Sequence, residues 1–172
     1  RLYKEHKGTL ETICRLLNIH TVIDVGSGSS TQIPSWLDRA VVRSVGWMDD
    51  QQLSTLLSES IAGAIGYWPD VWEKSGVIGA YQAHGMIPVL IPLEPRRTQI
   101  PSFVPYVVVE DLLKVATRDG SIPIEQMQSI SDASRDYYLR NQSVYRCAEV
   151  ISSSFINRHA HMENSRSLLD QQ

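Results

Sequence analysis

Apolar residues cluster in short runs at 22–25, 40–45, 63–67, 87–91 and 104–109. Between most of these runs, at 51–59 and 76–83, and again at 110–117, apolar positions recur at helical spacing instead. Ahead of the first run, Thr9, Leu10, Ile13, Leu16 and Leu17 mark one face of an amphipathic helix. Short β-rich runs alternating with helices predict a parallel sheet covered on both faces. The expected fold class is α/β: a Rossmann-like, open, mostly parallel sheet with helices on both faces and a helical C-terminal tail. Residues 124 to about 155 read as one or two long helices, and 157–172 are polar. One domain is therefore expected over 1–156, with 157–172 as a polar tail, helical or disordered. The segment 92–105, with four prolines and the pair Arg96-Arg97, reads as an irregular surface loop.

Composition narrows this picture. A chain of 172 residues holds one ordinary domain with a real core. Its 42% hydrophobic and 20% charged residues are those of a soluble globular protein, and a net charge of −3 gives no reason to expect nucleic acid as a partner. Cys14 and Cys147 lack metal-type spacing, and Cys14 falls on the apolar helical face, where it reads as core. No window approaches the roughly 18 uninterrupted apolar residues of a spanning helix, and no signal peptide opens the chain. The expected location is the cytoplasm, with peripheral membrane association of the full protein left open. A first residue of Arg rather than Met suggests a piece of something longer.

In open α/β sheets ligands bind beyond the C-terminal strand ends, so candidate chemistry is sought in the turns there. The first turn is "TVIDVGSGSST", where Gly26, Ser27 and Gly28 close an apolar run. A dinucleotide or methyl-donor loop wants a third glycine and an acid ending the next strand. Ser29-Ser30 and Ser44, Gly46 and Trp47 stand there instead. The glycines are equally read as a plain turn. The second is "WPDVWEKSGVIG", where Glu73, Lys74, Ser75 and Gly76 precede a helix. Its first-turn N–H groups make an anion site, with Lys74 adding charge and Gly76 leaving room for a phosphate. The plainer alternative is an N-cap by Ser75 with Glu73 and Lys74 solvated. Gly79 costs its helix about 1 kcal/mol relative to Ala, which suggests close packing against the sheet. The third is the opening "RLYKEHKGTLE", where Lys7-Gly8 precedes a helix and Lys7 could reach across the strand ends.

Read together, "RLYKEHKGTLETICRLL", "VIDVGSGS", "VVRSVGWMDDQQLSTLLSES" and "AGAIGYWPDVWEKSGVIGAYQAHGMIPVLI" resemble the C-terminal half of group 1 glycosyltransferases of GT-B fold. The resemblance covers roughly residues 1–118. It implies a donor-binding domain for a nucleotide-diphosphate sugar, and a partner domain carrying the acceptor site, whether sugar, lipid or protein. Arg1 and Lys7 resemble the basic pair that neutralises the donor diphosphate, with Lys4 a rival for either role. Gly46, Trp47 and Met48 resemble the lining of the base site. Glu73 resembles the first acid of the family's paired-Glu motif, and Lys74, Ser75 and Gly76 the backbone that holds the distal phosphate and sugar. The second acid is absent, and Tyr81 stands eight residues after Glu73.

What the resemblance implies is a metal-free hexosyl transfer in which Lys7 and Glu73 act in catalysis, with retention as the family's outcome. Arg1, Gly26, Ser27, Gly28, Trp47, Met48, Lys74, Ser75 and Gly76 then bind the donor. No DxD motif demands a metal: Asp49-Asp50 stands at a helix start, where capping explains it. His20 and His84 are expected to be structural. Two other classes stay open: a truncated S-adenosylmethionine-dependent methyltransferase, and a non-catalytic Rossmann-like interaction domain presenting Trp68 and Trp72 as exposed aromatics.

Overall fold

A computed structural model describes residues 2–26, 33–68, 72, 74–93, 106–149 and 152. The chain is a mixed α/β protein. In order it forms α1 (Leu2–Glu5), α2 (Lys7–Leu16), β1 (Thr21–Val25), β2 (Trp36–Leu37), β3 (Ala40–Gly46) and α3 (Asp50–Ser58). There follow β4 (Ala62–Tyr67), α4 (Gly76–Ala83), β5 (Ile87–Pro92), α5 (Val109–Val115) and α6 (Ile124–Asn141). Residues 144–149 are again helical.

The strands form two small sheets. In one, β3 lies between β1, parallel to it, and β2, antiparallel to it. In the other, β4 pairs in parallel with β5, and Val107 makes a parallel bridge to Val89 on the far side of β5. The apolar run at 104–109 thus contributes a single bridging residue among its described members, and α5 begins at Val109.

One apolar layer lies under both sheets. Leu10, Ile13, Leu16 and Leu17 of α2 and its C-terminal turn pack with Leu37, Ala40, Ile87, Val89, Ile91 and Leu112. Val22 and Val42 join from the first sheet, and Ala62 and Ala64 from the second. Each fully buried Leu or Ile here is worth about 1.5–3 kcal/mol relative to exposure. The opposite face differs between the sheets. Over β4 and β5 it is closed by Trp72, Ile78, Leu90, Tyr106 and Val108, with Tyr137 of α6 against them. β5 is accordingly buried at consecutive positions, as a strand covered on both faces must be.

Over β1 and β3 the opposite face is open among the described residues. Ile23, Val25 and Val45 are 39%, 40% and 43% exposed, and β1 alternates between exposed and half-buried positions. The expectation of helices on both faces therefore holds only for the second sheet. The crossover from β1 to β3 is near the dozen-residue minimum for joining parallel strands, and its described part is β2 and its flanks. The next helix, α3, stands beside the end of α4, where Ser54 Oγ and His84 Nε2 are 2.9 Å apart.

Candidate functional site

The chain direction puts four helix starts at one edge. α2 leads through a short turn into β1, so it runs back along the strand and its first turn lies over the strand's C-terminal end. α3 and α4 begin just beyond the C-terminal ends of β3 and β4. Val107 bridges Val89 in parallel, so the chain there runs in the direction of β5 and α5, beginning at Val109, starts towards the same edge.

At that edge β1 and β3 end together. Gly26 N–H donates to Gly46 O at 2.9 Å, and the β1–β3 register shifts between Asp24 and Val25 so that Val25 faces Gly46. Gly26 and Gly46 have φ of +146° and +70°, a region that costs any other residue strain. A Cβ built at either would meet nothing within 4 Å among the described residues, and the positive φ is itself a reason for glycine. Trp47 follows, 79% exposed, and Met48 is half-buried. Asp49 then caps α3: its Oδ1 accepts from Gln52 N–H at 2.8 Å, and Gln52 Oε1 accepts from Asp49 N–H at 3.2 Å. Capping does account for the first acid of Asp49-Asp50.

Asp24 is engaged from the opposite direction. Tyr3 Oη donates to its Oδ1 at 3.0 Å. Burial, first of all, and then that hydrogen bond and the negative charge beside it push the Tyr3 hydroxyl well above its ordinary range, so it stays a donor. Leu2 meanwhile reaches β4: a Cβ at Gly66 would stand 3.1 Å from Leu2 Cδ1. Neither contact has a signal in the sequence, because both depend on where α1 lies. Lys7 opens α2, exposed and 3.6 Å from Glu11 Oε1, while the half-buried His6 before it leaves Nε2 without a partner among the described residues.

The start of α4 combines both sequence readings. Ser75 is a buried N-cap whose Oγ accepts from Ile78 N–H at 3.3 Å, which is the plainer alternative. Lys74 and Gly76 are exposed, and a Cβ at Gly76 would meet nothing within 4 Å among the described residues. Tyr81 lies against the sheet: a Cβ at Gly63 would fall 2.5 Å from its ring, and burial raises its hydroxyl pKa. This side chain is packing, not a substitute for the missing acid. A Cβ built at Gly79 would stand 3.7 Å from Gln142 and 4.0 Å from Tyr138, so its described neighbour is the C-terminal end of α6 and not the sheet as expected. Trp72 corrects the sequence reading too. It is 6% exposed, edge-on to Tyr106 with ring centres 5.1 Å apart, whereas Trp68 is half exposed.

Arg1, Ser27, Gly28 and Glu73 lie outside the described residues, as does most of the proline-rich loop. His84 is structural as expected, its Nδ1 2.8 Å from Ala80 O and its Nε2 beside Ser54. Cys14 is buried, and that burial raises its thiol pKa, in keeping with a core role. Among the described residues no three His, Cys, Asp or Glu side chains group closely enough to hold a metal, and no helix is long and apolar enough to cross a membrane. A shallow hollow of about 580 Å³ lies elsewhere, on α6 against Ile124, Glu125, Gln128, Ser129 and Asp132. It offers carboxylates and no cation.

No family model, curated protein or solved structure matches the chain.

Proposed function

We propose that the two sheets are the halves of one open Rossmann-like layer whose C-terminal strand edge binds a nucleotide-diphosphate sugar. The chain is then the donor-binding half of a glycosyltransferase, and the acceptor is held by another domain. The observation that carries this reading is the joint ending of β1 and β3. Gly26 and Gly46 turn the backbone with no described residue crowding their Cβ positions, next to the exposed ring of Trp47. An exposed indole beside a bare backbone turn suits a nucleobase, which needs a flat apolar partner and close approach.

The helix starts supply the charge. The N–H groups of Gly76 and Val77 have no partner within α4, and the helix dipole favours an anion there. Lys7 and Lys74 add positive charge at the same strand edge. In glycosyl transfer negative charge builds on the leaving diphosphate, and fixed N–H groups and cations stabilise it without a metal. Because Ser75 Oγ is committed to its cap, backbone amides and lysines carry this role.

Titration calorimetry with UDP, GDP and ADP, and with S-adenosylhomocysteine as control, tests the reading. Saturable binding of one nucleotide diphosphate is expected, weakened about tenfold by Lys7→Ala or Lys74→Ala, since a hydrogen bond to a charged group is worth roughly 1.5–3 kcal/mol. Binding of the control alone would move the turn after β1 to a methyl donor. Affinity unchanged in both lysine variants would remove the donor site.

A further inference from the structure

Each sheet has an edge without a backbone partner among the described residues, and these edges face one another. Among the described residues β1 pairs only with β3, and β4 only with β5, yet Val22, Ala62 and Ala64 share the apolar layer against α2. Adjacent residues of α1 touch both sides, Tyr3 at Asp24 and Leu2 at Gly66. β1 and β4 are nevertheless neither paired nor packed side by side. One strand placed between them would hold them about 9–10 Å apart, twice the usual spacing of neighbouring strands.

The hydrogen-bond phase shows which peptide groups line this slot. Val41 N–H donates to His20 O and Gly26 N–H to Gly46 O, so even-numbered residues near β1 turn their peptide groups towards β3. Thr21, Ile23 and Val25 turn theirs the other way. In the second sheet Ile87 N–H donates to Ile61 O and Leu93 N–H to Tyr67 O. Ala62, Ala64 and Gly66 therefore face the slot. None of these six has a backbone partner on that side among the described residues.

We propose that the slot takes one further parallel strand, and that this strand is the stretch of the parent protein leading into Leu2. A strand parallel to β1 and β4 ends at their C-terminal edge, which is where α1 lies between Asp24 and Gly66. The connection then runs strand, α1 and α2, β1: a crossover unit of the common βαβ kind, which gives α2 its missing first strand. The segment is extended, five or six residues long like β1 and β4, and apolar on the side that meets α2. The sheet order becomes β2, β3, β1, the added strand, β4, β5. This rests on reading the two sheets as one layer and not on the identity of any ligand.

Amide exchange and cross-strand proton contacts measured by NMR on the parent protein, without nucleotide, test it. The amides of Ile23 and Ala64 are expected to exchange as slowly as those of Asp24 and Ile65, at least a hundredfold slower than an open edge. Both are expected to contact one and the same intervening segment. Trimming the chain back to Arg1 should release the slot-facing amides of β1 and β4 alone. Should the trimmed chain fail to fold, the contacts in the parent protein decide. Fast exchange at Ile23 and Ala64 there, or direct contacts between them, overturns the proposal while leaving nucleotide binding a separate question.

Discussion

A methyl group at Gly63 would have to displace the ring of Tyr81, which stands 2.5 Å from its position. Overpacking of this kind typically costs about 1–3 kcal/mol, so Gly63→Ala should lower the urea midpoint by that amount, and Tyr81→Leu in the same chain should restore part of it. Independent, additive losses from the two changes would show that the contact is not tight. Tyr3 makes a prediction of the opposite kind, in pH. Its folded-state pKa is raised above the ordinary 10.0, mainly by burial and also by Asp24. Above pH 10.0 the unfolded phenol ionises while the folded one keeps its proton, so folding takes up a proton. The stabilisation is complete below pH 10.0 and is lost as pH rises towards the folded value. Tyr3→Phe should flatten that alkaline decline in a denaturation series, and an unchanged slope would assign it to other groups. Residue type alone could announce neither partner. Tyr81 stands where the resemblance wants an acid, and only its place over a glycine in β4 explains the exchange.

Elements were more legible than contacts. The helices at 50–58 and 76–83 and four of the strands lie within a residue or two of their apolar runs, because parallel strands write continuous apolar stretches. β2, two residues long, is too short to have a period, and α1 has one turn and no buried residue to mark it. The run at 104–109 is as apolar as a strand but follows prolines, and from Val109 onward the chain is helix, where Glu110 and Asp111 favour a first turn. At the candidate site the sequence located the turn at Gly26 and the helix starts, but not Tyr3, from a distant helix, as the partner of Asp24. Two predictions belong here. Asp49→Ala removes the cap of α3 and should cost about 1 kcal/mol, read as a shift in thermal midpoint. Strand phase gives a sharper contrast. Val42→Lys enters the shared core and should unfold the chain, whereas Val45→Lys on the open face should change stability by less than about 0.5 kcal/mol. Equal losses would mean that the outer face of β3 is covered.

For the molecule as a whole the asymmetry between faces is the main result: among the described residues one apolar layer is shared and the other stops at β4. The exposed Ile23, Val25 and Val45 form an apolar surface on the outer face of β1 and β3, a feature that promotes association. Val25→Lys should raise the concentration at which light scattering first detects oligomers, and no change would place the sticky surface elsewhere. The shared layer also sets a timetable for the growing chain. α2 leaves the ribosome well before Ile87, Leu112 and Ile122, the downstream residues that complete its apolar side. At roughly 5–20 residues per second that interval is on the order of ten seconds. Throughout it the nascent helix carries an uncovered stripe of leucines, and a chaperone that holds early segments would find its natural grip there.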